Sequence, residues 1–153
     1  MESNCDTYGR LYNWSTAMNF ASSCNSSFCS SQIQTKHRGI CPSGWHIPSD
    51  ADWDVLATAV GGSSTAGTKL KAASGWNKNY GTNDYGFSAL PGGGGYSDGS
   101  FHDVGDVGNW WRASESSEGY SDRAYGRFMG NINDLGWSGT YKSFLYSVRC
   151  LRD

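Results

Sequence analysis

The segment CPSGWHIPSDADWDVLATAVGG, residues 41–62, holds the clearest helix signal in the chain. Pro48 and Ser49 stop the element before it. Ser49 is placed to cap a new helix, and Asp50, Asp52 and Asp54 put negative charge where the helix dipole favours it. Trp53, Leu56, Ala57 and Val60 recur at helical spacing on one face. Gly61 and Gly62 then end the helix. The result is an amphipathic helix whose apolar face needs another layer to cover it.

Upstream, YGRLYNW at residues 8–14 alternates aromatic and polar residues and predicts a strand. STAMNFAS after it predicts a short helix with Ser15 as N-cap. Residues 24–39 are serine-rich and loop-like. Downstream, AGTKLKAASGW carries one short apolar pattern, and residues 81–108 are dominated by turn formers. NWWRASE, RAYGRFM and FLYSVRCL predict short strands separated by glycine turns. The expected fold class is α+β: one or two helices packed on a small antiparallel sheet, with long irregular loops. There is neither an internal repeat nor a linker, so residues 1–153 are expected to form one domain.

Composition agrees with a loop-rich, aromatic-packed domain: 153 residues with 21 glycines, 14% aromatic and only 17% charged. A net charge of −2 gives no nucleic-acid footprint. No run reaches the ~18 apolar residues that would insert into a membrane, and no signal peptide follows Met1. Five cysteines, Cys5, Cys24, Cys29, Cys41 and Cys150, suit two bridges and a spare, and spacing alone leaves the pairing open. Cys24 and Cys29 can close a local loop; Cys41 and Cys150 would tie the end of the chain to its first third. This pattern favours an oxidising, extracellular setting. A zinc set of Cys24, Cys29, His37 and Cys41 is the rival, but only His37 and Cys41 have the tight spacing zinc sites use.

Read together, YGRLYNW, CPSGWHIPSDADWDVL, AGTKLKA, GFSALPGG, WWRASE and YSVRCLRD closely resemble the Fibrobacter succinogenes major paralogous domain, in order over nearly the whole chain. The resemblance implies a bacterial extracytoplasmic domain, often part of a larger surface protein, with no established biochemical activity. The pattern is also similar to the C-type-lectin-like fold, in which a cysteine near the early helices bridges to one in the last strand, as Cys41 and Cys150 would. A narrower resemblance is to the variable proteins of diversity-generating retroelements. There, motifs such as WWxASE, AYxRxM and SVRC form a framework and the residues between them are diversified.

On that framework Trp110, Trp111, Glu115, Tyr125, Arg127, Met129 and Arg149 are structural. Arg112, Tyr120, Asp122, Arg123, Phe128, Asn131, Asn133, Trp137 and Tyr141 are the candidate ligand-binding residues. The segment that carries most of them, YSDRAYGRFMGNINDLGWSGTY at residues 120–141, has the aromatic, serine, glycine and asparagine content of an antibody paratope. Strand alternation is expected to put Tyr125, Arg127 and Met129 on one face, with Arg127 held by a carboxylate such as Glu115, and Phe128 exposed on the other. Trp137 is expected at a glycine-flanked loop tip, and strand alternation leaves one of Trp110 and Trp111 open to exposure.

No catalytic residue is assigned. PGGGGYSDGS lacks the Gly-Lys-Ser/Thr of a phosphate loop, no nucleophile elbow occurs, and Cys41 is engaged as a bridge candidate. No cofactor is expected. A structural calcium stays open through loop oxygens such as Asp98, Asp103 and Asp134, although the Glu-Pro-Asn and Gln-Pro-Asp tripeptides of sugar-binding lectins are absent. The expected function is a noncatalytic, lectin-like or adhesin-like module at the cell surface, with a protein or glycan ligand. The alternative is a structural spacer in a larger surface protein.

Overall fold

The computed structural model describes residues 2–153. Four helices, α1 (Glu2–Tyr8), α2 (Trp14–Met18), α3 (Asp50–Ala59) and α4 (Ser63–Leu70), accompany short strands. In chain order these are β1 (Trp45–His46), β2 (Gly94–Gly95), β3 (Phe101–His102), β4 (Gly108–Glu115), β5 (Arg123–Met129), β6 (Gly136–Tyr141) and β7 (Leu151–Arg152). The architecture is α+β, with short helices and small antiparallel sheets. β4, β5 and β6 form a three-stranded antiparallel sheet, and β1 pairs with β7 and β2 with β3. No helix among the described residues is long and apolar enough to cross a membrane.

The helix expected after Ser49 is α3, closed by a reciprocal capping box. The Ser49 side chain accepts from the Asp52 N–H, and the Asp52 carboxylate accepts from the Ser49 N–H at 2.8 Å and hydroxyl at 2.6 Å. Trp53, Ala57 and Val60 bury the apolar face, and Gly61 and Gly62, both at positive φ, turn the chain out. Asp54 lies beyond the first turn and has another role described below.

Three expected elements differ. Residues 8–14 are not a strand: α1 ends at Tyr8, a single bridge joins Tyr12 to Tyr146, and Trp14 opens α2. The cap of α2 is Asn13, whose Oδ1 accepts from the Thr16 N–H at 2.9 Å, so Ser15 sits inside the helix and is buried. FLYSVRCL makes isolated bridges at Leu145, Tyr146 and Ser147, and only Leu151–Arg152 forms a strand. The aromatic alternation of these segments reflects packing against neighbours rather than a continuous ladder.

The main sheet packs a core against each face. Trp111 packs with Trp14, Met18, Ile47 and Tyr146, while Trp110 packs with Trp53, Ala57, Leu70, Trp76 and Met129. Adjacent residues of a strand face opposite ways, so two neighbouring tryptophans serve two cores and neither is exposed. Cys24–Cys29 and Cys41–Cys150 are disulfides. Both bridges suggest a non-cytoplasmic protein. They also remove the zinc set, since three of its four ligands are oxidised. Cys5 is free and exposed.

Candidate functional site

The register of β5 on β6 builds one continuous surface. Arg123 pairs with Tyr141, Tyr125 with Gly139 and Arg127 with Trp137, and cross-strand partners point to the same face. On β4, Trp110 pairs with Arg127, which puts Arg112, two residues on, on that face as well. Near α3 this face is covered by Trp53; beyond the helix it lies open. Trp137, Gly139 and Tyr141 are exposed along β6, while Ser138 and Thr140 point inward.

Two groups of side chains make up the open face. At one end the Arg123 guanidinium lies 4.5 Å from the centre of the Tyr141 ring and 5.2 Å from that of Tyr120, and donates to the Tyr141 hydroxyl at 3.2 Å. At the other, Tyr125 meets Trp137 edge-on at 5.7 Å and lies 4.8 Å from Arg112. Trp137 is 59% exposed. Around this second group is a depression of about 660 Å³, lined by Asp50, Asp54, Arg112, Tyr125, Arg127, Phe128 and Trp137, with Ile132 and Asp134 at its rim.

The floor of the depression is a charge network. Arg112 forms an ion pair with Asp50, and Arg127 donates to Asp54 at 2.5 Å, with Asp50 also 3.8 Å away. Both arginine side chains are nearly buried, whereas Asp50 and Asp54 are open to solvent. Burial first, then repulsion from Arg127, brings the Arg112 guanidinium down to about 10, opposed by Tyr125. It remains charged at neutral pH. The Tyr125 phenol is held below its usual range by the hydroxyls of Ser117 and Ser116 and the Ser117 N–H. The Nε groups of Arg112 and Arg127 are buried without an acceptor. Chemically, the site offers two accessible carboxylates, a tyrosine and an indole face above two fixed cations.

Of the nine candidate residues, Tyr120, Arg123, Trp137 and Tyr141 share the open face, with Arg112 beneath it. Arg112 is a nearly buried floor residue rather than an exposed contact. Trp137 stands on β6, not at a loop tip. Phe128 alternates to the opposite face of β5 and is half-buried, yet it also lines the depression; its ring lies over Gly136, its cross-strand partner, in the space a Cβ there would take. Asn131 and Asn133 lie apart: Asn79 Nδ2 donates to the Asn131 carbonyl at 3.1 Å, and Thr68 Oγ1 donates to Asn133 Oδ1 at 3.2 Å. Asp122 is half-buried and its carbonyl accepts from the Lys142 N–H.

Arg127 is held by Asp54, not by Glu115. Glu115 is instead buried and paired with Lys142 at 2.5 Å. The expected grouping of Tyr125 with Arg127 holds, but their face is the open one. Tyr125, Asp50 and Asp54 were therefore missed as site residues. For Tyr125 the signal was present in the alternation of Arg123, Tyr125 and Arg127. For the two aspartates it was not, since they read equally well as helix-dipole acids. Among the loop oxygens considered for calcium, Asp98 is taken up by Ser100 and Asp103 by His102.

No curated protein and no solved structure matches the chain. The model of the Fibrobacter succinogenes major domain matches residues 1–152, and the chain belongs to that family.

Proposed function

We propose that the chain is a noncatalytic ligand-binding module of C-type-lectin-like fold, working outside the cytoplasm at a bacterial surface, with a protein or glycan ligand. The ligand sits on the open face of β5 and β6. One observation carries this reading: Tyr141 and Trp137 stand exposed on one face of β6, with exposed Tyr120 beside them before β5, interleaved with Arg123 and floored by Arg112 and Arg127. Aromatics and arginines are the residues that anchor interfaces, and an aromatic row left in water costs free energy unless a partner covers it. The lectin-like fold is supported by the meeting of β1 with β7 beside Cys41–Cys150, which brings an early segment and the chain's end into one small sheet.

The test is a glycan-array and cell-binding screen of the oxidised protein, with and without calcium, beside a Trp137→Ala/Tyr141→Ala double variant. Phe128 is left alone because its ring packs on Gly136. Specific binding that falls at least tenfold in the variant is the expected result. Binding that survives both substitutions would remove the site, and no binding to any glycan or cell would favour the spacer.

A further inference from the structure

A second place on the molecule has the chemistry of a ligand site. It lies away from the open sheet face, between α3 and the end of the chain. A slot of about 280 Å³ is walled by Pro48, Trp53, Leu56, Phe87 and Leu151, with Arg149 over it. The walls are carbon, and their polar groups have an unusual imbalance.

Arg149 is the only half-buried or buried arginine among the described residues with neither a carboxylate nor a hydrogen-bond acceptor. Arg112 and Arg127 have Asp50 and Asp54, and Arg123 has the Tyr141 hydroxyl. The Arg149 guanidinium instead stacks on Phe87, 3.8 Å from the ring centre. That contact uses the face of the guanidinium and leaves its edge, where the N–H donors point, without a partner. Burial pulls the group below its usual pKa.

Trp53 forms part of the slot wall. Its side chain is buried, yet its indole N–H has no acceptor. Three other buried indoles have acceptors: Trp14 donates to the Arg112 carbonyl, Trp76 to that of Ala89 and Trp111 to that of Tyr12. One carboxylate, Asp52, borders the slot, but it is committed to the N–H and hydroxyl of Ser49 and does not reach ion-pair distance of Arg149. The slot therefore has a positive charge without a counter-ion and an apolar body.

We propose that this slot binds a small apolar carboxylate, its hydrocarbon part between Trp53, Leu56 and Phe87 and its carboxylate on the edge of Arg149. The volume suits a branched aliphatic or monoaryl acid. Arginine meets a carboxylate through two parallel N–H donors, and an apolar surround strengthens that pair. This site is separate from the open face of β5 and β6, and neither reading rests on the other.

The experiment titrates the full oxidised chain with 3-methylbutanoate and phenylacetate, each beside its primary amide, and follows the Trp53 indole and Arg149 side-chain signals by nitrogen–proton NMR. The acids should shift these signals saturably with a Kd of about 1 mM, the range open to ligands of so few atoms. The amides should bind at least tenfold more weakly, and Arg149→Gln should weaken the acids by a similar factor. Retention of Cys41–Cys150 and of near-ultraviolet circular dichroism checks the variant. If the variant does not fold, acid against amide on the unaltered chain decides. An amide that binds as well as its acid, or no saturation by about 20 mM, overturns the proposal.

Discussion

Lys142 is completely buried, and the structure accounts for every proton on its ammonium. Nζ donates to Glu115 at 2.5 Å and to the carbonyls of Ser27 at 2.9 Å and Ser121 at 2.7 Å, and it lies 4.8 Å from the centre of the Trp14 ring. Glu115 in turn accepts the Cys29 N–H at 2.7 Å. One charge pair thus fastens the disulfide loop at residues 24–29 to the end of β4 and to the turn that leads into β5. Removing one partner of such a pair strands the other charge without solvent, so Lys142→Met should destabilise by about 3–5 kcal/mol in urea unfolding. Adding Glu115→Leu should cost much less than the sum of the two single changes, because the stranded charge goes with it. Strict additivity would mean that the two groups are stabilised by their other neighbours. Residue order does not disclose this pairing: Arg127 is the nearer cation to Glu115 in sequence, whereas the lysine sits 27 residues away beyond two turns.

At the scale of elements, α3 is the most local structure in the chain and so the most legible. Its cap, its acidic start, its apolar face and its glycine stop all lie within residues 48–62. Ser49→Ala should cost about 1 kcal/mol. For Asp52, burial alone would raise the pKa, but the Ser49 hydroxyl and N–H and the charge of His46 outweigh it and hold the group below its usual value. Its stabilising contribution is therefore complete above the unfolded-state pKa of about 3.9 and disappears as pH falls through the lower folded value. The stability gap between the parent chain and Asp52→Asn should hold at neutral pH and close in that acid window. A gap that persists below it would assign the effect to something other than ionisation. By contrast β6 is invisible, since GWSGTY has two glycines and no apolar alternation, and it is held by pairing with β5, by the ring of Phe128 over Gly136 and by the contacts of Tyr125 with Trp137 and Arg123 with Tyr141. The site inherits both conditions. Arg123, Trp137 and Tyr141 could be picked by residue type, but Asp50 and Asp54 arrive on a helix that sequence reading had already explained. Another such long-range dependence is Gly67 in α4, where a Cβ would stand 2.2 Å from the Asp134 carbonyl oxygen at the rim of the depression. Gly67→Ala should cost about 1–3 kcal/mol by overpacking, and it should shift backbone resonances of residues 131–135 more than those of α3.

Over the whole molecule, the ends of the chain are held by different means from its middle. The two cores pack through the central sheet, whereas β7 has two residues and one strand partner, β1. The Cys41–Cys150 bridge lies next to that pair and closes a separation of 109 residues, against 5 for Cys24–Cys29. If a disulfide acts mainly by restricting the unfolded chain, its effect grows with the logarithm of the loop, giving about 4–5 kcal/mol for the long bridge and about 2 kcal/mol for the short one. Cys41→Ser/Cys150→Ser should therefore lower the urea midpoint about twice as far as Cys24→Ser/Cys29→Ser. It should also raise the slope of the transition, because an unfolded chain released from a long loop exposes more surface. Burial does not predict this order, since Cys24 and Cys41 are both almost fully covered. Equal losses with equal slopes would show that the bridges act through native packing alone, and that β7 is kept in place by its ladder with β1 and by the contact of His46 with Asp153 at 2.7 Å. The expected inequality would instead make the long bridge the reason that so short a last strand stays docked, and with it Arg149, which neighbours Cys150 and forms part of the apolar slot.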